Sequence, residues 1–525
     1  MPGAKIALFE GSNRIGGRLL SLTPPGAPHL RAEMGGMDYF SNQKLVRSLV
    51  ENKLGLPHEV VPPGTSTLQP DPKNPVYLRG THLHFKDLRD PKKIPYRLDP
   101  SEQRQLSKPG PPALTLVSNA LAKLFPGVSD PHSLREAKLE GLPLWKWGFW
   151  NVISRTMSQE AYGFARDSLG YESVMMNFNA VDGMAELLDI GPSPTISRVT
   201  GGYQQLPLTL YKGFLATGGR VYLRYRLKSV DMVKSDGADV VKLTFAANNT
   251  GWGPSSTGDL VTLYAKKLIL AMPRRSLELL DQSGPLFGND PKAQFLRGLL
   301  ESVTPLPMFK TYLCYSQPWW EGLGFKAGKA ITDMPLRQCF YWGIEGERPG
   351  ADKTNRNSLL MATYDDCGNE AYWGGLAKLT PPSRYPRAFS PGDQSYSVAG
   401  EWADYRTPIA CPLVEELQRQ LQRIHGPEVN IPDPYDAAFA DWGQDPFGGA
   451  AHAWNMHVES WKLQQTMAHP LKKIPVFICG EAYSLHQGDV EGALETAEFV
   501  LETFFNLASP GWVTANPDTA MASRN

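Results

Sequence analysis

The chain has 525 residues, 42% of them hydrophobic and 20% charged, which is enough for two or more globular domains around a large core. Lysine plus arginine equals aspartate plus glutamate at 53 each, and no run of like charge occurs; this excludes an electrostatic nucleic-acid or acidic-membrane binder and leaves a small molecule as the partner. Five scattered cysteines without a CxxC pair argue against a disulfide framework or a zinc site and for a reducing, cytoplasmic setting, and no apolar run reaches the roughly 18 residues of a membrane span.

"KIALFE" (residues 5–10) reads as a buried-type strand ending on an acid, followed by Gly16 and Gly17 between Arg14 and Arg18. That order suits the second strand of a nucleotide-binding domain, whose strand-end carboxylate, here Glu10, accepts ribose hydroxyls. The matching glycine-rich turn belongs about 20 residues upstream. Only nine residues precede Glu10. The first strand, its turn and its phosphate-binding helix are therefore expected to be missing, with Met1 an internal methionine taken as a start.

Residues 41–55 carry Leu45, Val46, Leu49, Val50 and Leu54 on one helical face, with Ser41 or Asn42 as cap and Gly55 as stop. Proline-rich, polar sequence from 62 to 112 reads as loops around short strands. "ALTLVSNALAKLF" and "LPLWKWGFWNVISRTM" read as helices of an inserted region that extends to about Leu188. "GGYQQLPLTLYKGFLATGGRVYLRYRLKSVDMV" gives a turn, a helix and a β run, and "VVKLTFA" and "LVTLYAKKLILAMP" flank a Gly/Ser loop as a hairpin. A second insertion follows, and "IPVFICGEAYS" with "GDVEGALETAEFVLETFF" supplies a last buried strand and a long helix.

"FEGSNRIGGR", "EMGGM", "GGYQQLP", "ILAMPRR", "PMFKTYLCYSQPWW" and "FICGEAYSLHQGDVEGAL" occur in an order and spacing that resembles the flavin-dependent amine oxidase superfamily, and most of all its bacterial L-amino-acid oxidases. The resemblance covers nearly the whole chain. It implies an α/β fold, with a Rossmann-like FAD-binding domain lacking its first strand and helix and an inserted α+β substrate-binding domain. The expected division is 1–60, 195–300 and 440–508 for FAD, 61–194 and 301–439 for the substrate, and 509–525 as a flexible tail.

By the same resemblance, Glu10 meets the adenosine ribose, Arg18 lies by the pyrophosphate and ribityl chain, and Gly16 and Gly17 let the backbone approach FAD closely. Gly35, Gly36 and Met37 pass along the flavin, Leu227 faces the adenine, and Glu481 meets the ribityl or pyrophosphate region. Gly488, Asp489 and Val490 begin a helix whose N-terminus would face the flavin pyrimidine edge, where unpaired N–H groups stabilise developing negative charge. Lys310 is the expected catalytic residue, holding a water beside flavin N5.

Tyr341 and Trp454 match positions of aromatic walls around the substrate. Two positions depart from the pattern: Asp38 stands where amino-acid oxidases commonly carry a carboxylate-binding arginine, and Asp489 stands where an aromatic is usual. Asp38 would repel an α-carboxylate, which favours an amine, or a basic amino acid held by another arginine such as Arg337; the alternative for Asp38 is an internal salt bridge.

The implied reaction is oxidation of an amine or L-amino acid by FAD and O2 to a carbonyl compound, ammonia and hydrogen peroxide. An oxidative decarboxylase giving an amide, and an inactive or truncated relative that binds no FAD, are the alternatives. No metal or nucleic acid is expected, and a homodimer is.

Overall fold

The computed structural model describes residues 4–65, 70–128, 130–190, 195–235, 237–247, 259–284, 286, 291–379, 399–407 and 411–513. The Gly/Ser loop of the expected hairpin and most of the expected tail lie outside these residues.

The elements that position the site are, in chain order, strands β1 (Ala7–Glu10), β2 (Pro75–Leu78), β3 (Thr81–His84), β4 (Arg220–Leu223), β5 (Leu268–Ala271), β6 (Met308–Tyr315), β7 (Gly328–Thr332), β8 (Gln338–Ile344), β9 (Ser358–Asp366), β10 (Asp436–Asp441), β11 (Ala451–Trp454) and β12 (Val476–Cys479). The helices used below are α1 (Pro112–Leu124), α2 (Gln159–Leu169), α3 (Gln205–Ala216), α4 (Pro412–His425) and α5 (Val490–Phe505).

Two parallel ribbons stand where the nucleotide-binding part was expected. β1 runs beside β4 with Glu10 opposite Leu223, and β5 runs beside β12 with Ala271 opposite Cys479. Among the described residues no hydrogen-bonded strand joins the two ribbons. The long strands Tyr225–Ser235, Ala238–Ala247 and Asp259–Ala265 form an antiparallel meander beside them. The run "LVTLYAKKLILAMP" is thus two strands: its first half completes the hairpin, and its second half leaves to pair with β12. The lysine pair 266–267 marks the break.

The second body is a seven-stranded sheet in the order β10-β6-β9-β8-β7-β2-β3. Its strands come from both expected insertions, because β2 pairs in parallel with β7 across more than 250 residues of chain. Period-2 alternation gives this sheet two different faces. Phe309, Leu313, Tyr315, Cys339, Tyr341 and Leu360 point to one side, where they pack on Leu413, Leu417 and Leu421 of α4. Tyr312, Cys314, Phe340 and Met361 point to the other, against Leu20, Leu22, Ala32 and Met34.

A helical layer containing α1 and α2 buries its own cluster, including Leu116, Val117, Phe149 and Phe164, onto Val76 and Leu78 of β2. "LPLWKWGFWNVISRTM" is not one helix. Pro143 ends a two-residue strand, a 3-10 turn covers Leu144–Lys146, and a short α-helix runs from Phe149 to Ile153 after Gly148. The helix expected over 41–55 begins at Lys44, passes into a π-type turn over Ser48–Lys53 and stops before Gly55, whose φ is +59°. Its cap position is Gln43.

Candidate active site

The site forms where β6 crosses the "EMGGM" turn. That turn leaves a short ladder in which Ser21 and Leu22 pair with Glu33 and Ala32. A Cβ on Gly35 would lie 1.8 Å from the Arg18 carbonyl oxygen, and one on Gly36 would lie 2.7 Å from Leu19 Cδ2, so the turn can pack this closely only as two glycines. The freed space brings the carbonyls of Glu33 and Gly35 to the Lys310 ammonium, which donates to them at 3.1 and 2.5 Å. Met37 Sδ lies 3.9 Å from the same nitrogen, and the Tyr364 ring centroid also lies 3.9 Å away, close enough for a cation–π contact.

Lys310 is 1% exposed. Burial lowers its pKa to about 7, against the opposing charges of Glu33 and Asp38. Glu33 is buried too, and burial raises its carboxyl to about 7 although the Ser21 hydroxyl donates to it at 2.7 Å and the Tyr203 N–H at 3.0 Å. A lysine and a carboxyl that both change charge near neutrality, on opposite sides of one turn, can exchange protons with a bound molecule at little cost.

Asp38 takes the alternative course weighed from sequence. Arg198 Nε and Nη2 donate to its two oxygens at 2.5 and 3.3 Å, and the guanidinium stands 4.2 Å from the Trp342 ring centroid. With that charge paired, the argument that Asp38 repels a substrate carboxylate loses its basis.

The cofactor residues gather on the other side of the turn. Glu10 ends β1 and accepts the Ser12 N–H at 2.8 Å. Gly16 and Gly17 have φ of +119° and +56°, and a Cβ on Gly16 would meet the Leu19 carbonyl at 2.7 Å. Arg14 pins this loop by donating to the Gly17 carbonyl at 2.6 Å. Arg18 donates to Glu481 at 2.8 Å and to the Ala450 carbonyl at 2.7 Å.

Glu481 also accepts the backbone N–H groups of His452 and Gly488 at 2.9 and 2.8 Å and faces His452 Nδ1 at 2.8 Å. Burial alone would raise its pKa, but His452 and Arg18 outweigh it and hold the carboxyl at about 2. Leu227 is half-buried beside a bulge in its strand, next to Tyr225 and Phe9. Asp489 occupies the cap position of α5 in extended conformation, with burial raising its carboxyl to about 7, and Val490 is the first helical residue.

These residues fit FAD at the ribose, ribityl and ring-edge positions: an acid at the end of β1, a loop where a Cβ would collide, a half-exposed arginine and the N-terminus of a 16-residue helix.

Three expected substrate residues are not brought here. Tyr341 points to the other face of the sheet, where its hydroxyl meets His425 Nε2 at 2.7 Å and its ring packs on Phe325 and Trp320. The reason is register: on β8, Gln338, Phe340 and Trp342 share the face of Lys310, and Tyr341 lies between them. Trp454 is fully buried among Val303, Leu300 and Tyr483, with its indole N–H donated to the Ser484 carbonyl at 2.8 Å. Arg337 has a positive φ of 53° and is held on α2, where it donates to the Arg166 carbonyl and lies 3.7 Å from Asp167. Conversely, sequence reasoning passed over Glu33, Tyr171, Arg198, Gln338, Trp342 and Tyr364. Strict alternation outward from Phe340 would have found Gln338 and Trp342; the others are joined to Lys310 only by folding.

The fold and site together are of the flavin-dependent oxidoreductase type. Residues 2–500 match the flavin containing amine oxidoreductase family, and the chain belongs to it. It is similar to Aplysianin-A of Aplysia kurodai, 26% identical over 96% of this chain and 86% of that protein, and to Achacin of Lissachatina fulica, 24% identical over 96% and 89%. A solved structure of wild-type putrescine oxidase bound to putrescine superposes with a TM-score of 0.60 at 16% identity, covering 96% of this chain and 94% of the other. Among the described residues no helix is long and apolar enough to cross a membrane.

Proposed function

We propose that the chain is an FAD-dependent oxidase of an amine or L-amino acid, of the type found in bacterial L-amino-acid oxidases. The observation that carries this reading is the buried Lys310 seated on the "EMGGM" turn under the Tyr364 ring. When bound, FAD accepts a hydride from the carbon bearing the neutral amine and passes two electrons to O2. The balance is substrate plus O2 plus H2O to carbonyl compound, ammonia and H2O2.

The residues then divide the work. Lys310, with its proton affinity lowered by burial, holds a water and exchanges a proton with it as the imine is hydrolysed. Tyr171, Tyr364 and Trp342 are the aromatic walls; each keeps some exposure beside fully buried neighbours, which is the mark of a cleft. The α5 N-terminus supplies N–H groups toward the pyrimidine edge. Glu10, Arg18 and Glu481 hold the ribose and ribityl portions. The finer reading of the nucleotide-binding sheet, as one without its first strand and helix, rests on the unjoined ribbons β1–β4 and β5–β12.

One experiment tests the reading. The purified chain is incubated with FAD, freed of excess cofactor and examined for an oxidised-flavin spectrum; peroxide release and anaerobic reduction are then compared between it and Lys310→Met. Loss of about 100-fold or more in turnover with the flavin spectrum retained is the expected result. Unchanged turnover and reoxidation in the variant would sink the role of Lys310, and a colourless protein would sink the oxidase reading of this chain.

A further inference from the structure

A second lysine is buried on the same face of the sheet. Lys329, the second residue of β7, is 6% exposed and lies directly opposite Phe340 of β8. Its ammonium stands 3.5 Å from Gln338 Oε1 and 5.8 Å from the Phe340 ring centroid, and no carboxylate pairs with it among the described residues. Burial alone moves its proton affinity, lowering the pKa to about 8. A desolvated ammonium without a counter-ion is costly unless something else supplies one. Two neighbouring arginines do have a carboxylate, Arg198 with Asp38 and Arg18 with Glu481, and Lys310 is met by two carbonyls; among the described residues Lys329 has only a neutral amide.

The surroundings of Lys329 connect it to the cleft. Gln338 donates its amide to the Tyr364 carbonyl at 3.1 Å, and the Tyr171 ring meets the Tyr364 ring edge-on with centroids 5.0 Å apart. Tyr364 in turn covers Lys310. Gly170, with φ of +94°, allows the chain after α2 to close on this group, because a Cβ there would lie 2.5 Å from Gln338 Oε1. β6 and β7 are separated by β9 and β8, so at the ordinary strand spacing their backbones lie about 14 Å apart. Both lysine side chains leave the sheet on the side of Tyr171 and Tyr364.

We propose that Lys329 seats a carboxylate of the substrate, on the side of the site away from Lys310, so that the substrate class is an amine whose acid group lies several bonds from the reacting carbon. The inference rests on the oxidase reading and narrows it. It agrees with the pairing of Asp38 to Arg198, which removes the repulsion that had favoured a purely cationic substrate. Gln338 Oε1, 3.5 Å away, orients the ammonium.

The test uses the flavin-loaded protein and its Lys329→Met variant, which removes a buried charge and keeps the side-chain length; Lys329→Gln serves if the first variant does not fold. Peroxide release is measured with 6-aminohexanoate against hexylamine and with 8-aminooctanoate against octylamine, each pair differing by a carboxylate in place of the terminal methyl. The expected result is a 10- to 100-fold fall in kcat/KM for the acid-bearing member, carried by KM, with the amine that lacks the carboxyl within twofold of the parent. An equal change for both members of each pair, or no change for either, overturns the proposal.

Binding of the non-oxidisable anion hexanoate, read by calorimetry, decides the matter without turnover. At least tenfold weaker binding by the variant supports the seat, and equal binding or none to either protein overturns it. Failure of the parent to oxidise any of the four compounds, with hexanoate still bound through Lys329, would count against the oxidase reading and leave the anion seat standing.

Discussion

Replacing Glu481 by glutamine should remove a strong electrostatic constraint beside the cofactor positions expected from the sequence. The carboxyl is buried, yet its pKa lies at about 2 instead of 4.5, because His452 and Arg18 outweigh the burial. Each tenfold change in proton affinity corresponds to about 1.4 kcal/mol, so the surroundings favour the ionised form by roughly 3 kcal/mol.

The sign follows from the depressed value. This stabilisation is fully present above pH 4.5 and is lost as pH falls through about 2, where the folded carboxyl takes up its proton. Glu481→Gln has no such proton to bind, and it leaves Arg18 and the fully buried His452 facing a neutral amide. The assay is the urea midpoint of parent and variant, followed by tryptophan fluorescence from pH 7 to pH 2. The variant should unfold at clearly lower urea at pH 7, and the gap should close across the pH 5 to 2 window. A gap that is constant with pH would refute the reasoning, since a purely steric effect of the amide carries no proton linkage.

Two further changes follow from named contacts. Arg198→Met should destabilise the fold by about 3–5 kcal/mol by leaving Asp38 buried without its partner, and Asp38→Asn added to it should restore much of the loss. Thermal unfolding of the two single variants and the double variant measures the coupling, and strict additivity would count against the pair. Tyr341→Phe should leave kcat/KM within twofold, because its hydroxyl serves His425 on the far face, whereas Tyr364→Leu should lower it at least tenfold by uncovering Lys310. Equal kinetic effects in the two variants would mean that the two faces have been assigned wrongly.

The order of elements was legible because long, strongly patterned segments declare themselves: β1 and its terminal acid, α3 after "GGY", β6, and β12 with α5 all lie where their periodicity puts them. Lys310 and the glycines of "EMGGM" were legible as well, since a lone charge in an apolar strand and a glycine pair each need a special reason. Tyr341 was misread by one position. In a strand a single residue exchanges the faces, and nothing local to "QCFYWG" says which face a flavin-side group occupies until β6 fixes the neighbour across β9. Arg198 was invisible because its partner lies 160 residues earlier and the two meet only when the strand Ile196–Val199 pairs with Tyr39–Phe40. The break of the aromatic run at Pro143 and Gly148 was written in the sequence, where both residues stand as punctuation.

The asymmetry of the seven-stranded sheet carries the functional argument further than any single residue. Its α4 face is closed by aliphatic and aromatic packing, with hydroxyls among its polar members: Thr363 donates to the Leu336 carbonyl, while Thr311 Oγ1 and Tyr315 Oη are buried without a partner. Its other face collects Lys310, Lys329, Gln338 and Tyr364 in one connected group. A fold that needed only a core would fill both faces alike, because each buried amine or amide without full hydrogen bonding costs about 1–3 kcal/mol. Keeping such groups on one face, beneath half-exposed Tyr171 and Trp342, makes sense when a bound molecule completes their bonding. On that view the two lysines are not equivalent: Lys310 is met by backbone carbonyls and can give up its proton, while Lys329 has no acceptor except a neutral amide and gains most from an anion brought in by the substrate.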